Sequence, residues 1–329
     1  MSIDRHGHGF PELERELSLS TWMEHRSFEG ASFTVADLLA AKRETISVIL
    51  PTRNVAATIG TVAGALTPLR RAGLLDEIIV VDAASTDGTV QIAERRGLTV
   101  LQESELMPEY GPAQGKGDAM WRGVSAASGD VVLFVDTDTE DFDAVFALGM
   151  LGPLLTEPGV EFVKGSFTRP FRVGDVNMPH GGGRVTELVA RPLINLYVPE
   201  LAGFIQPLAG EIAARRPLLE SIAFPVGYGI ETAMMIDVLR LVGIDAMAQS
   251  DLGTRQNRHQ SLRSLSAMAQ AVLVAAMTRI HGYEATWRHA PGPLALPGTG
   301  GVEVRQVPLE ERPPLRTLDD SGRVREPFA

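Results

Sequence analysis

Apolar, β-branched runs alternate with helical stretches through the first half of the chain. Four runs predicted as strands lie at 46–50 (ISVIL), 78–81 (IIVV), 99–101 (TVL) and 131–135 (VVLFV). The helical stretches lie at 55–72, 88–96 and 116–127. Strands that are apolar along their length are typical of parallel sheets with helices on both faces. The sequence therefore predicts an α/β domain with a mostly parallel, Rossmann-like sheet, which binds ligands beyond the carboxyl ends of its strands.

The rest of the sequence divides into an arm, a less regular region and a tail. Residues 1–44 are polar and are predicted to form an N-terminal arm, with a helix from Val35 to Lys42 that Thr34 caps. One domain is predicted over 45–290, and Pro, Gly and charged residues mark 291–329 as a C-terminal tail. Helices in the second half of the domain are predicted at 184–197, 230–242 and 262–280.

Charge and composition exclude several classes of function. The 329 residues include 41 Asp and Glu against 30 Lys and Arg, and the net charge of -11 disfavours nucleic-acid binding. No cysteine is present, so disulfides and thiolate catalysis are excluded. The start of the chain is too polar for a secretory signal, and no apolar run has the roughly 18 residues of a membrane span. We therefore expect a cytoplasmic protein without a membrane span.

Asp136-Thr137-Asp138 is the most informative motif, because it follows the apolar run VVLFV directly. Two carboxylates at the end of a buried strand repel each other unless a cation or several donors neutralise them. A divalent metal with oxygen ligands solves this problem and would bridge the acids to a diphosphate. The alternative is an acidic strand end that caps a turn.

Other strand ends carry groups that suit a nucleotide. The first run is followed by Pro51-Thr52-Arg53-Asn54, which offers backbone N–H groups and a cation, although such a turn is often only structural. Asp82 ends the second run and is predicted to accept hydrogen bonds from a base or ribose. Lys116 lies between two glycines ahead of a helix, where it can reach phosphates or remain a solvated loop lysine.

A glycine-rich loop in the second half suggests an anion site. In His180-Gly-Gly-Gly-Arg-Val-Thr-Glu187, backbone N–H groups, Arg184 and the Thr186 hydroxyl precede a helix, an arrangement that binds phosphate or carboxylate. Three glycines are also compatible with a mobile linker. Glu231 opens a later helix and either binds donor hydroxyls or caps the helix, and His259 is a candidate metal ligand or phosphate contact.

Together these segments resemble a known enzyme family. ISVILPTRN, IIVVDAASTDGT, GKGDAMWRG, VVLFVDTDT, GGGRVTELVARPL, IQPLAGE and PVGYGIE occur in collinear order over roughly residues 34–282. They are similar to the retaining glucosyl-3-phosphoglycerate synthases and their mannosyl-3-phosphoglycerate relatives, which have the GT-A glycosyltransferase fold. The resemblance implies that glucose or mannose moves from a UDP- or GDP-linked donor to the 2-hydroxyl of 3-phosphoglycerate, with Mg²⁺ or Mn²⁺ as cofactor.

The resemblance also assigns roles to residues. It places the donor half at about 45–165 and the acceptor half, a helical region, at about 166–290. Donor binding is implied for Pro51, Thr52, Arg53, Asn54, Asp82, Ala83, Lys116, Asp136, Thr137, Asp138, Tyr228 and Glu231. Acceptor binding is implied for Gly183, Arg184, Val185, Thr186, Asn257 and Arg258. Catalytic roles fall on Lys116, Asp138 and Glu231, and metal binding on Asp136, Asp138 and His259.

Two departures from the family pattern affect the donor side. The usual R-x-H-R-N reads Arg255-Gln256-Asn257-Arg258-His259, so His259 is displaced by two positions and Asn257 with water is the alternative metal contact. Pro-Thr-Arg-Asn-Val also replaces the Pro-Ala-Leu-Asn-Glu of glucose-specific members, which favours relaxed or mannose donor use. A sugar-1-phosphate nucleotidyltransferase and a non-catalytic nucleotide-sugar binding protein are the alternative functions. The long helix near 262–280 and the arm suit a homodimer.

Overall fold

The computed structural model describes residues 10–168, 171–173, 176–178, 183–255, 261–282, 290–319 and 322–324. Its α-helices are α1 (Phe10–Arg26), α2 (Val35–Ala41), α3 (Ile59–Arg71), α4 (Thr89–Arg95), α5 (Lys116–Ala126), α6 (Ala144–Thr156), α7 (Arg191–Tyr197), α8 (Arg216–Leu219), α9 (Ile230–Val242) and α10 (Leu262–His281). Its strands are β1 (Ser27–Glu29), β2 (Ile46–Thr52), β3 (Glu77–Asp82), β4 (Thr99–Gln102), β5 (Val131–Phe134), β6 (Phe162–Thr168), β7 (Phe171–Val173), β8 (Val176–Met178), β9 (Ile212–Arg215), β10 (Phe224–Pro225), β11 (Met247–Thr254), β12 (Leu294–Gly298), β13 (Gly301–Arg305) and β14 (Glu311–Arg312).

The main sheet has eight strands in the order β1-β11-β6-β9-β5-β2-β3-β4. Neighbouring strands are parallel except at β9, which pairs antiparallel with both β5 and β6. The structure confirms the predicted mostly parallel α/β sheet. It adds β9, which joins the strands of the donor half to those of the second half.

Helices cover both faces of this sheet, as the continuous apolar strands require. Along β2, Val48 and Leu50 are fully buried in a core that includes α3 and α6, whereas Ile49 is fully buried in a core that includes α5 and α9. Alternate residues of a strand point to opposite faces, so a strand between two helical layers needs apolar side chains on both.

The N-terminal residues join the main sheet. After α1, β1 pairs in parallel with β11 and forms the edge of the sheet. Trp22 anchors α1, because its indole N–H donates to the carbonyls of Ile244 at 3.0 Å and Met247 at 3.2 Å. The helix predicted at the end of the arm is present as α2, and the Thr34 hydroxyl accepts a hydrogen bond from Asp37 N–H. The domain boundaries drawn from sequence stay predictions.

Two predicted helices differ locally from the observed ones. The stretch at 55–72 forms a helix only from Ile59, because backbone N–H groups at Val55 and Ala56 bond to Thr89 and Asp87 across the fold. The stretch at 184–197 contains a π-helical turn at Thr186–Ala190 before α7. Within the part of the chain that the structure describes, no helix has the length and apolarity of a membrane crossing.

Candidate active site

The predicted donor residues meet at the carboxyl edge of three parallel strands. Thr52, at the end of β2, lies opposite Asp82, at the end of β3. On the other side of β2, Val135 N–H donates to Ile49 O at 3.2 Å, which brings the Asp136–Asp138 segment to the same edge. Parallel pairing therefore brings residues far apart in sequence into one site.

Lys116 is the centre of this site. Its Nζ lies 2.6 Å from Asp136 Oδ1 and 3.0 Å from Glu231 Oε1. Burial alone would lower the pKa of Lys116, but the two carboxylates raise it above its ordinary value, so the ammonium stays charged. Helices α5 and α9 begin next to each other here, since Lys116 is the first residue of α5 and Glu231 the second of α9. The three residues are thus brought together as predicted.

Arg255 is a site residue to which the sequence reasoning assigned no role. Its fully buried guanidinium lies 3.3 Å from Asp138 Oδ1 and 3.6 Å from Asp136 Oδ2, and it also pairs with Glu211. Phe167 lies under the guanidinium, with its ring centroid 5.2 Å from the Arg255 Cζ. Lys116 and Arg255 together place positive charge on both acids of the Asp-Thr-Asp motif.

A buried lysine lies beneath these groups. Lys164, on β6, is fully buried and donates to the carbonyl oxygen of Ala209. Burial lowers its pKa to about 8, although the charges of Glu231 and Glu211 act in the opposite direction. Burial also raises the pKa of Glu211, and Arg255 opposes this effect. A charged residue inside the apolar segment 162–167 was the sequence signal for Lys164, because such residues are rarely buried without partners.

Asp82 is buried at the end of β3 with one carboxylate oxygen unpartnered among the described residues. The residue is 1% exposed, and its Oδ2 accepts a hydrogen bond from Ser85 N–H at 2.9 Å. Its buried Oδ1 has no hydrogen-bond partner among the described residues. Because an unsatisfied buried carboxylate oxygen is costly, a ligand N–H at this position would be bound favourably.

Other predicted donor residues form hydrogen bonds within the protein. Asn54 has a positive φ of 52°, and its amide oxygen accepts from Thr86 N–H at 2.9 Å. The Thr137 hydroxyl donates to Pro51 O at 2.9 Å. These bonds fix the strand-end turns against one another. Arg53, in the same turn as Asn54, is exposed.

The glycine-rich loop is described from Gly183 onward. Gly183 has a φ of 71°, a conformation that favours glycine, and its carbonyl accepts from Glu187 N–H at 2.9 Å. Val185 and Thr186 are buried, while Arg184 is half-buried. Gln206 Oε1 lies 3.9 Å from the point where a β-carbon on Gly183 would stand. The segment from Gln206 to Glu211 therefore connects this loop with the Arg255 cluster.

The remaining predicted residues fall into two groups. Tyr228 is about half exposed and lies two residues before α9. Asn257, Arg258 and His259 lie outside the described residues. Among the described residues no group of three or more His, Cys, Asp or Glu side chains could hold a metal ion, and of the predicted metal ligands only Asp136 and Asp138 are described. Two carboxylates at the open end of a strand fit a hard divalent cation that takes further oxygen ligands from a bound diphosphate.

Comparison with known proteins identifies the family. Residues 47–209 match the model of glycosyl transferase family 2. The glucosyl-3-phosphoglycerate synthase of Mycolicibacterium smegmatis is 42% identical over 302 residues, which cover 90% of this chain and 98% of the relative. The chain belongs to the glucosyl-3-phosphoglycerate synthase family. The Petrotoga mobilis synthase is 40% identical and has 94% of its length covered.

Solved structures of this family have the same architecture. Mannosyl-3-phosphoglycerate synthase from Rubrobacter xylanophilus is 46% identical, with a TM-score of 0.80 over 90% of this chain and 98% of that one. Glucosyl-3-phosphoglycerate synthase from Mycobacterium tuberculosis, in complex with Mn²⁺, UDP-glucose and phosphoglyceric acid, is 39% identical, with a TM-score of 0.77 over 86% and 95%. The predicted family and GT-A fold are confirmed.

Proposed function

We propose that the protein transfers glucose or mannose from a nucleoside-diphosphate sugar to the 2-hydroxyl of 3-phosphoglycerate, with retention at the anomeric carbon. The observation that carries this proposal is the Lys116 ammonium held between Asp136 and Glu231 at the carboxyl edge of the sheet. A partly buried, charged lysine at this position would stabilise the negative charge that develops on a departing diphosphate.

The donor fits the strand ends around this lysine. The unpartnered Asp82 Oδ1 supplies an acceptor for an N–H of the base, and the turn at Pro51–Asn54 lies directly beside it. The diphosphate would then extend toward Lys116, while Glu231 is placed to accept hydrogen bonds from sugar hydroxyls. Such contacts hold the anomeric carbon in a reactive orientation.

A divalent metal is the cofactor that this donor set supports, and a family member has been crystallised with Mn²⁺ and UDP-glucose. Asp138 and Asp136 would hold it, together with the diphosphate and, as a prediction, His259. When bound, the metal supplies positive charge to the leaving diphosphate. Arg255 lies against both carboxylates and fixes their orientation.

The acceptor fits the loop that begins at Gly183. Backbone N–H groups of this loop, the Thr186 hydroxyl and the Arg184 side chain would bind the phosphate and the carboxylate of the acceptor. The Mycobacterium tuberculosis relative has been crystallised with phosphoglyceric acid. Binding at this loop would present the 2-hydroxyl on the same side of the sugar as the leaving group.

The transfer follows from this arrangement. The bond from the anomeric carbon to the diphosphate oxygen breaks as the bond to the acceptor 2-hydroxyl oxygen forms on the same face, and the diphosphate oxygen takes the hydroxyl proton. Lys116 stabilises the charge on the diphosphate, and the glycine-rich loop holds the acceptor. Positioning and electrostatics therefore supply most of the rate enhancement.

A matrix of donors and acceptors tests the proposal. UDP-glucose, GDP-glucose, UDP-mannose and GDP-mannose are each combined with 3-phosphoglycerate, glycerol 3-phosphate or glycerate, with and without Mn²⁺. We expect product from 3-phosphoglycerate with at least one donor, and no product after chelation of the metal. Equal rates with all three acceptors would reject the acceptor assignment. Release of pyrophosphate from a nucleoside triphosphate and a sugar 1-phosphate would instead indicate a nucleotidyltransferase.

We further propose that the enzyme acts as a homodimer. Large apolar side chains are exposed on three helices: Leu17 on α1, Leu196 on α7 and Leu273 on α10. Contiguous patches of exposed apolar side chains mark subunit interfaces, and we infer that these leucines contribute to one. Light scattering at micromolar concentration should give twice the monomer mass of 35.4 kDa, and a monomer mass would contradict the proposal.

A further inference from the structure

The C-terminal segment Glu310–Pro313, here called the strap, bonds to the residues that precede and begin α5 and to the segment that precedes α9. Its Arg312 is buried, and the guanidinium forms a bidentate pair with Asp118: Nε lies 2.9 Å from Oδ1 and Nη2 lies 2.6 Å from Oδ2. Composition predicts only a C-terminal tail in this region. A buried bidentate pair is among the strongest polar contacts in a protein.

Asp118 in turn holds the loop that carries Lys116. Its Oδ2 accepts from Gln114 N–H at 3.0 Å, which closes the turn from Gln114 to Asp118 around Lys116. Its Oδ1 also accepts from Arg122 Nε at 3.0 Å, and Asp118 and Arg122 are both fully buried. Four donors thus satisfy one carboxylate, and two of them come from the strap.

The strap also bonds to the segment that leads to Glu231. Glu310 O accepts from Val226 N–H at 2.9 Å, and its side chain accepts from Gln114 Nε2 at 2.6 Å. Strands β14 and β10 pair antiparallel, with Glu311 opposite Pro225. Trp121 Nε1 donates to Pro313 O at 2.8 Å. One short segment is therefore bonded to the start of α5, which carries Lys116, and to the segment that precedes α9, which carries Glu231.

We propose that the strap positions Lys116 against Asp136 and Glu231, and that Arg312 is the positioning residue through which it acts. This inference rests on the proposed function for the role of Lys116. Arg312 reaches Lys116 only through Asp118 and the turn before α5, so its loss changes the placement of the lysine without removing a group that contacts substrate.

The test compares Arg312→Met with Arg316→Met in the full-length chain. Arg316 lies four residues further along the same region and its side chain is exposed, so its substitution removes the same charge without changing the Asp118 cluster. We expect Arg312→Met to lower kcat by about 10- to 100-fold, because small displacements of a catalytic group have effects of this size. The KM for 3-phosphoglycerate should stay within about twofold, and Arg316→Met should match the wild type.

Two further measurements separate positioning from general stabilisation. Hydrogen–deuterium exchange of the ligand-free protein should rise over residues 112–118 in Arg312→Met and stay unchanged over 183–190. Arg312→Lys keeps the charge but loses the bidentate geometry, and it should give an intermediate kcat even if the methionine variant does not fold. The effects of Arg312→Met and Asp118→Asn should be non-additive, because the two residues act through one contact.

The outcomes are distinct. A wild-type kcat and unchanged exchange over 112–118 in Arg312→Met or Arg312→Lys would overturn the inference. If the wild type transfers no hexose from any donor, the proposed function fails, and the exchange experiment alone decides whether the strap orders the Lys116 loop.

Discussion

Gly210 lies against the ion pair of Lys116 and Asp136, and its replacement by alanine tests whether that pair must keep its geometry. A β-carbon added at Gly210 would meet Asp136 Oδ1, Asp136 Oδ2 and Lys116 Nζ, all nearer than the 3.0 Å that β-carbons essentially never show. The Asp136 carboxylate and the Lys116 ammonium are only 2.6 Å apart and both clash with the methyl group, so both must move. Gly210 does not have a positive φ, so alanine causes no backbone strain there.

The size of the effect follows from the contact distances. Ordinary van der Waals contact begins at 3.4 Å, so the carboxylate and the ammonium must each move by about 1 Å. A displacement of that size at a catalytic group costs on the order of 10²-fold in rate. The clash falls on the ends of side chains, so the fold should survive with a loss of about 1–3 kcal/mol of unfolding free energy.

Initial rates of hexosyl transfer and urea denaturation measure the two effects separately. Gly64→Ala is the matched control, because Gly64 is in α3 with no atom within 4 Å of an added β-carbon. It should retain full activity and gain up to about 1 kcal/mol of stability from helix propensity. In a Lys116→Met background, Gly210→Ala should have little further effect on kcat. A Gly210→Ala enzyme with wild-type kcat would refute the requirement for this pair.

Three further predictions concern charged residues. Burial, with a smaller contribution from Asp118, raises the pKa of Glu103 to about 7 from 4.5, so the folded state favours the protonated carboxyl. Its contribution to unfolding free energy should fall by up to about 3 kcal/mol as pH rises from 4.5 to 7. Urea titrations at several pH values should show a smaller fall in unfolding free energy for Glu103→Gln than for the wild type, and an unchanged fall for Glu105→Gln. If the unfolding free energy of Glu103→Gln falls with pH as steeply as that of the wild type, the prediction is contradicted. Arg255→Met leaves Glu211 buried without its partner and should lower the free energy of unfolding by about 3–5 kcal/mol in urea titration. Arg263→Met, at an exposed ion pair, is the control. A change below about 1 kcal/mol in Arg255→Met would contradict the prediction. Asp138→Asn should abolish turnover with an unchanged circular-dichroism spectrum, and metal chelation should do the same reversibly in the wild type; full activity in metal-free buffer would reject the metal role.

The sequence predicted the parts of the fold that depend on local pattern. The runs at 46–50, 78–81 and 131–135 became β2, β3 and β5, because a strand covered on both faces must be apolar throughout. Their polar ends met at one edge, as the topology of parallel sheets requires. The family and the class of reaction were also predictable, since GGGRVTELVARPL and the other quoted segments lie in collinear order.

Contacts between distant segments could not be predicted in the same way. Arg255 pairs with Glu211 across 44 residues, and Arg312 pairs with Asp118 across 194 residues. Neither pair has a local pattern, because each depends on where β9, β11 and the C-terminal strap lie in the folded chain. Gly210 belonged to the recognised segment IQPLAGE, but only the structure shows that its missing β-carbon makes room for Lys116 and Asp136.

The product of the reaction tests the central claim most directly. The enzyme is incubated with the active nucleoside-diphosphate hexose, 3-phosphoglycerate and Mn²⁺, and the product is analysed by nuclear magnetic resonance. We predict one hexose joined to the 2-hydroxyl of intact 3-phosphoglycerate, with the same anomeric configuration as the donor. An inverted configuration, attachment at another oxygen, or release of free hexose alone would contradict the account.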